Sequence, residues 1–336
     1  MAVKKKIIIT GGAGYVGSVL VPYLLRLGYE VTVIDYFIYG EEVFGVFQNS
    51  PFLHLVKGDI RDQNLLYKTF HNQDILVHLA CISNDPSFDL NPNLGRSINY
   101  DAFKGIIKAV NESNVQRFIY ASSSSVYGVR TEDKVIETTS CEPLTDYSKY
   151  KLLCEKMLQD SGLKNCDYTI IRPATVCGYA PRLRLDLTVN ILTLHALVSK
   201  KMTVFGGSQL RPHIYIEDMV EAYRLLLEAP KEKIAFEVFN AGYENRSVLS
   251  TAQLIQNQLF KVGVKNIEIV VQPTNDNRSY YIDSVKIQQR LGFMPKYSLE
   301  DAIDSLINAY KDKKIIDPLN NALYYNIKRM KEINLV

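Results

Sequence analysis

Tyr147 and Lys151 stand four residues apart in the run YSKYK, and an unbroken serine run, Ser122 to Ser125, lies one short segment upstream. A free tyrosine titrates near about 10 and is a poor base at neutral pH. An ammonium one helical turn away favours the phenolate and draws that value toward the working range. On a helix the four-residue spacing puts both side chains on one face. A serine hydroxyl at a neighbouring strand end then shares a substrate oxygen with the phenol. Such a set suits taking the proton from an alcohol while a second group takes the hydride. Read alone, the pair is also what an ordinary surface helix carries, so its meaning depends on the rest of the chain.

A partner for the hydride is written around residue 10. The run KIIIT at 6–10 is short, β-branched and apolar after its lysine, which predicts a buried strand. It enters a loop with Gly11, Gly14 and Gly17 spaced three apart, then a helical stretch at 18–27 that contains Pro22 as a misfit. Glycines permit a tight strand-to-helix turn and let the backbone approach a pyrophosphate at the helix N-terminus. After Gly28, a second strand at 30–35 ends in Asp35. An acid there accepts both ribose hydroxyls of adenosine and repels a 2′-phosphate, which favours NAD over NADP.

The elements that must position these groups alternate through the first half. Strands are expected at 52–56, 75–80 and 117–121, with helices at 63–70 and 96–111. Asp59 and Ile60 follow the third strand, where the acid could bond an adenine amino group or simply shape a turn. Right-handed crossovers between such strands build a Rossmann-type, doubly wound parallel α/β sheet with ligands at the strand C-terminal ends. Gly11, Asp35, Asp59, Ala80 and Ser122 all follow strands, and that coincidence carries more weight than any one motif. A helix at 147–160 and a strand at 168–171 complete this half. Beyond the Pro- and Arg-rich loop to residue 186, helices dominate: 187–198, 216–228, 247–262, 284–291 and 299–311. The expected division is a cofactor-binding domain at 1–172 and a smaller substrate-binding lobe at 173–336, interleaved with the end of the sheet. The stretch 318–336 is expected to add a helix and an exposed tail.

Composition fits a soluble enzyme: 336 residues, 47% apolar, net charge +3. The Lys4–Lys6 run is short and precedes a strand, which reads as solvation and not as nucleic-acid contact. No apolar run approaches the ~20 residues of a membrane span. The five cysteines show no Cys-x-x-Cys pairing and the five histidines no i, i+4 pair, so neither a metal site nor a disulfide framework is expected. A reducing cytoplasm is the expected location.

Together, TGGAGYVG at 10–17, Asp35, HLA at 78–80, Asn99, SSSSVYG at 122–128 and the Tyr147/Lys151 pair resemble the extended short-chain dehydrogenase/reductases. Within these the chain is similar to the NAD-dependent nucleotide-sugar epimerase/dehydratase group. The likeness extends through GGSQLRPHIYIED at 206–218 and DNRSYYID at 276–283, and so covers nearly the whole chain. It implies NAD held by Gly11, Gly14, Tyr15, Val16, Asp35, Asp59, Ile60, Leu79, Ala80 and Asn99, with Tyr147 and Lys151 at its reactive end. It implies Tyr147 as the base, Lys151 as its pKa-lowering partner and a ribose ligand, and Ser123 as the hydroxyl that shares the substrate oxygen. For a nucleotide-diphosphate sugar it implies Asn190 at the diphosphate, with Arg211 and Arg278 as the arginines that clamp it.

Two departures bear on the chemistry. Sugar 4,6-dehydratases place an Asp-Glu pair directly after the catalytic hydroxyl; here Ser124 and Ser125 stand there, so elimination lacks its acid and base. Where the family commonly has an asparagine before Tyr-Gly-Pro, this chain reads Thr175-Val-Cys-Gly178, which alters a substrate contact. In the loop 81–86, Asn84 or Asp85 could touch the sugar, or Pro86 could shape the turn. The leading expectation is an NAD-dependent nucleotide-sugar epimerase working through C4 oxidation. A nucleotide-sugar dehydrogenase or keto-sugar reductase is the alternative, ahead of a dehydratase or a non-catalytic NAD sensor. A homodimer is expected through the helices at 96–111 and 147–160.

Overall fold

The computed structural model describes residues 5–130, 134–274 and 279–335. Its main sheet has seven strands, all paired in parallel, in the order β3-β2-β1-β4-β5-β6-β10. These are β1 (Lys6–Thr10), β2 (Glu30–Asp35), β3 (Leu53–Lys57), β4 (Ile75–His78), β5 (Arg117–Ala121), β6 (Asp167–Pro173) and β10 (Glu237–Ala241). The middle of β1 is fully buried because the sheet is covered on both faces. Ile7 and Ile9 enter one core cluster and Ile8 the other, as strand alternation requires.

One face is covered by α1 (Gly17–Arg26), through Leu20, Val21 and Leu24, and by α8 (Ile216–Glu228), through Met219, Tyr223 and Leu226. The other is covered by α2 (Gln63–Phe70), α5 (Ala102–Asn111) and α6 (Asp146–Gln159), through Leu66, Phe103, Ile106, Cys154 and Leu158. Helices α3 (Asp85–Leu90) and α4 (Pro92–Arg96) lie between β4 and α5. Strand order reverses between β1 and β4, which opens a crevice at their C-terminal ends.

The second half builds a lobe from α7 (Thr188–Ser199), α10 (Val248–Lys261) and α12 (Leu299–Lys311) around Val189, Leu192, Ile255 and Ile303. Two small sheets join it: β7 (Thr175–Cys177), β9 (Leu210–Tyr215) and β11 (Glu244–Ser247) in one, β8 (Lys201–Phe205) and β12 (Glu268–Gln272) in the other. Helix α9 (Lys231–Ile234) leads into β10, which returns this half of the chain to the main sheet, and α11 (Val285–Leu291) packs beside it.

Three expectations are corrected. The fourth strand stops at His78, leaving Leu79 and Ala80 in the loop. The single helix expected at 96–111 is interrupted by a π turn at Ser97–Asp101 before α5. The final segment adds the expected helix, α13 (Asn326–Glu332), but with Asn326 and Met330 buried, and the tail beyond it is not free of the core, since Leu335 packs on it.

Candidate functional site

A cleft of ≈ 520 Å³ runs across the C-terminal ends of the strands and is roofed by the second lobe. A volume of that size falls within the ordinary range for ligand pockets. At its floor, Gly11 has φ +73°, and a side-chain carbon there would lie 2.6 Å from the Ala80 Cα. Glycine thus lets the β1–α1 loop lie directly against the loop after β4. Gly17 is needed for the same reason, since its Cβ would stand 2.2 Å from the Gly12 carbonyl oxygen.

Gly11, Gly14, Tyr15 and Val16 line the cleft, as do Asp35, Ile60, Leu79 and Ala80. The Asp35 carboxylate accepts backbone bonds from Ala13 (3.0 Å) and Phe37 (2.8 Å). Burial raises its pKa above the ordinary carboxylate range, and those amides together with Arg182 oppose the rise. Asn84, Ser123, Tyr147, Lys151, Thr175 and Arg211 also face the cleft.

Three expected contacts sit behind its wall. The Asp59 carboxylate is held by both arms of Arg61 and by the Tyr36 hydroxyl, and it is Gly58 and Ile60 beside it that line the cleft. Asn99, inside the π turn, bonds both backbone groups of Ile82 (2.8 and 2.9 Å) and so holds the loop after β4. Asn190 is fully buried and spent on structure: Oδ1 accepts from Gly178 N (2.9 Å), and Nδ2 donates to Arg184 O (2.9 Å) and Tyr15 Oη (3.1 Å). The Tyr15 hydroxyl in turn donates to Gly178 O at 2.6 Å, tying the glycine loop to the second lobe. Arg278 lies outside the described residues.

The reactive end is set by α6 and the turn after β5. Thr145 caps α6 in a capping box with Ser148, which fixes where Tyr147 begins its turn. Lys151 is buried, donates from Nζ to Ala121 O at 2.7 Å, and lies 5.9 Å from the centre of the Tyr147 ring. Ser123 accepts from Ser125 N at 3.1 Å, and Ser125 Oγ stands 2.8 Å from its own oxygen. Burial lifts the Tyr147 phenol well above its ordinary pKa; Cys81 and Asp85 add to the rise, while Arg184 and a hydrogen bond with Ser123 oppose it. In this arrangement the phenol holds its proton at neutral pH. Lys151 stands close enough to favour the phenolate, but in this cleft burial outweighs the nearby cations. Asp85, also at the cleft, accepts from Thr145 Oγ1 at 2.5 Å.

Several functional groups escaped sequence reasoning. Glu155, one turn beyond Lys151, pairs with Arg172 of β6 at 2.6 Å and 3.0 Å and accepts from Ser122, with both charged side chains buried. Burial works to lower the Arg172 pKa, and Glu155 more than offsets it. The signals were a charge inside the buried run IIRP and the i, i+4 step from Lys151. Arg182 and Arg184, from the Pro- and Arg-rich loop, line the cleft with Asp186, and Arg184 Nε meets Asp186 Oδ1 at 2.6 Å.

The model of the NAD dependent epimerase/dehydratase family matches residues 7–242. A Bacillus subtilis protein called an uncharacterized UDP-glucose epimerase is 31% identical over 318 residues, covering 90% of this chain and 96% of that protein. A UDP-glucose 4-epimerase of Lactobacillus helveticus is 28% identical over 335 residues, covering 91% and 96%. Among solved structures, a UDP-glucuronic acid 4-epimerase of Bacillus cereus, in complex with UDP-glucuronic acid and NAD, superposes with a TM-score of 0.82. It is 27% identical, covering 92% of this chain and 99% of that one.

Proposed function

Because the chain belongs to the NAD dependent epimerase/dehydratase family, we propose that it epimerises a nucleotide-diphosphate sugar at C4 through a transient keto sugar. The observation that carries this reading is the grouping of Ser123, Tyr147 and Lys151 on one cleft wall with Ser124 and Ser125, not carboxylates, beside them. The residues fit NAD. Gly11 and Gly17 let the loop pack closely enough to turn from β1 into α1 at the cleft, no side chain caps α1, and Asp35 is held by backbone donors with its carboxylate at the cleft. Bound there, NAD supplies the acceptor and later the donor of a hydride.

In this reading residues 1–172 hold the cofactor and 173–336 the sugar nucleotide. Tyr147 takes the C4 hydroxyl proton while Ser123 bonds the same oxygen. Lys151, fixed by Ala121 O, is held 5.9 Å from the centre of the Tyr147 ring, where it would favour the ionised phenol and bond the ribose. Thr175 and Asn84 face the sugar, and Arg211 faces the diphosphate, with Arg278 as its partner. The relatives named for UDP-sugars support a uridine diphosphate substrate. Two copies are proposed to pair through α5 and α6, where Leu153 is 39% exposed. No helix among the described residues is long and apolar enough to cross a membrane; a cytoplasmic location is proposed from the cysteine pattern, which has no Cys-x-x-Cys pairing.

The test is to supply UDP-glucose, UDP-galactose and UDP-glucuronic acid and follow C4 inversion without net NADH. Tyr147→Phe is expected to lower kcat by about 10²–10⁴-fold, the usual worth of a positioned proton-transfer group. Undiminished turnover in that variant sinks the assignment of the base. NADH accumulating in step with substrate favours the dehydrogenase.

A further inference from the structure

Residues 317–335 join none of the sheets, yet they form part of the cleft wall. Met330 is 2% exposed and belongs to the same apolar cluster as Ile34 and Ile60. Leu335 packs on that cluster and also lines the cleft. Ile34 precedes Asp35 at the end of β2 and Ile60 follows β3, so this wall stands where the adenosine half of a dinucleotide crosses the switch point. Flexible, polarizable thioether and branched apolar side chains suit the flat face of a base.

Asn326 fastens the segment. It is 3% exposed, and its Oδ1 accepts from Arg182 Nη2 at 2.6 Å and from the Tyr39 hydroxyl at 2.9 Å. Its Nδ2 donates to the backbone and side-chain oxygens of Ser83, both at 3.2 Å. Its backbone N–H donates to Asp186 Oδ2 at 3.3 Å. Arg182, Tyr39 and Ser83 come from three separate loops, and all three line the cleft. Nearby, Arg329 Nε donates to Ile38 O at 2.5 Å. On the other side, Tyr324 and Tyr325 pack against Leu183 and Leu185 of the second lobe. A buried amide keeps its hydrogen bonds only while those loops stay together around it, and opening the segment breaks them as a set.

We propose that residues 317–335 are a strap that retains the cofactor, with Met330 and Leu335 against its adenosine half and Asn326 as the fastening. This rests on the reading of the cleft as the NAD site. The strap must lift for NAD to enter or leave, so its fastening sets the rate of cofactor exchange. Met330 and Leu335 belong to the apolar cluster at the adenosine end, whereas Asn326 also reaches Asn84 at the sugar end through Asp186, which accepts from both.

Full-length wild type, Asn326→Ala, Met330→Ala and Leu335→Ala are loaded with isotopically labelled NAD, chased with unlabelled NAD, and followed by mass spectrometry of the retained cofactor. The KM for the sugar nucleotide is measured in parallel with NAD saturating. Each variant is expected to release label at least about tenfold faster, the factor for one lost net hydrogen bond or its apolar equivalent, with the sugar KM little changed in Met330→Ala and Leu335→Ala. Exchange within about twofold of wild type in Met330→Ala and Leu335→Ala, both of which remove only apolar contact, overturns the strap. A sugar KM that rises in step with NAD exchange in Met330→Ala and Leu335→Ala also overturns it, since that marks general support of the fold. A wild-type protein that binds no NAD overturns the cofactor reading and the strap together, whereas normal binding with unaltered exchange overturns the strap alone.

Discussion

Glu155 offers a quantitative test of how the reactive helix is held. Its side chain is 1% exposed and that of Arg172 is 6%, with the two joined at 2.6 Å and 3.0 Å. Glu155→Ala would leave a buried guanidinium with only the Tyr127 hydroxyl at 2.9 Å and the Glu137 carbonyl at 3.3 Å. Removing one partner of a buried ion pair costs about 3–5 kcal/mol, because the remaining charge is left uncompensated. That is a large share of the roughly 5–15 kcal/mol that typically separates native from unfolded chains. Replacing both residues, as Glu155→Met with Arg172→Met, removes the desolvation problem along with the attraction and is expected to cost under about 2 kcal/mol. The assay is urea unfolding of Glu155→Met, Arg172→Met and the double variant, comparing midpoints at constant slope. Activity should follow the same order, since Glu155 and Lys151 tie one helix to the end of β5 through Ser122 and Ala121 O. A single variant that loses less than about 1 kcal/mol, or singles that simply add in the double, refutes the argument that this pair is a desolvated unit.

Acid sensitivity follows from two buried histidines. Burial, with Lys151 near His78 and with Arg211 and Arg246 near His213, lowers both pKa values from 6.5 to about 3. Between those values the unfolded chain binds more protons than the native one, so stability rises with pH across that window and is lost as pH falls through it. At pH 5 each histidine accounts for about 2 kcal/mol of loss relative to neutral pH. His213→Gln should therefore shrink the drop in urea stability from pH 7.5 to pH 5 by about that amount, and an unchanged drop refutes the assignment. For the proposed dimer, sedimentation at micromolar concentration is expected to give a two-chain species; monomer alone counts against pairing through α5 and α6.

Much of the sheet was legible because its strands are covered on both faces. Ile7, Ile8 and Ile9 read as one apolar run for that reason, as do Val31 to Ile34 around a buried Thr32. The Tyr147/Lys151 pair and the glycine loop were legible because local spacing fixes local geometry. What escaped depends on partners distant in sequence. The π turn at Ser97–Asp101 carries an Asn99 that bonds Ile82, seventeen residues away, and no local propensity encodes that. Asn190 was expected at the diphosphate, but Gly178, Arg184 and Tyr15 converge on it from outside α7 and use its polar atoms. Asp59 likewise meets Tyr36 from the neighbouring strand end. The C-terminal helix was legible but its burial was not, since its short sequence is largely polar; that burial comes from Asn326 and Met330 finding the three loops and the β2–β3 edge.

The strap and the reaction constrain each other. An epimerase returns the hydride to the molecule that gave it, so reduced cofactor must stay bound for the whole cycle. With turnover typically on the order of 1–10³ s⁻¹, cofactor loss has to be slower than that, or keto sugar and NADH part company. A dehydrogenase has the opposite need, because each turnover requires fresh NAD. A segment fastened by one buried asparagine to three loops of the cleft belongs with the first case. The serines at 124 and 125 argue against elimination, and they leave epimerase and dehydrogenase undivided. The proposed strap would divide them, since a retained cofactor requires a hydride that comes back, and the rate of label exchange reads whether it does.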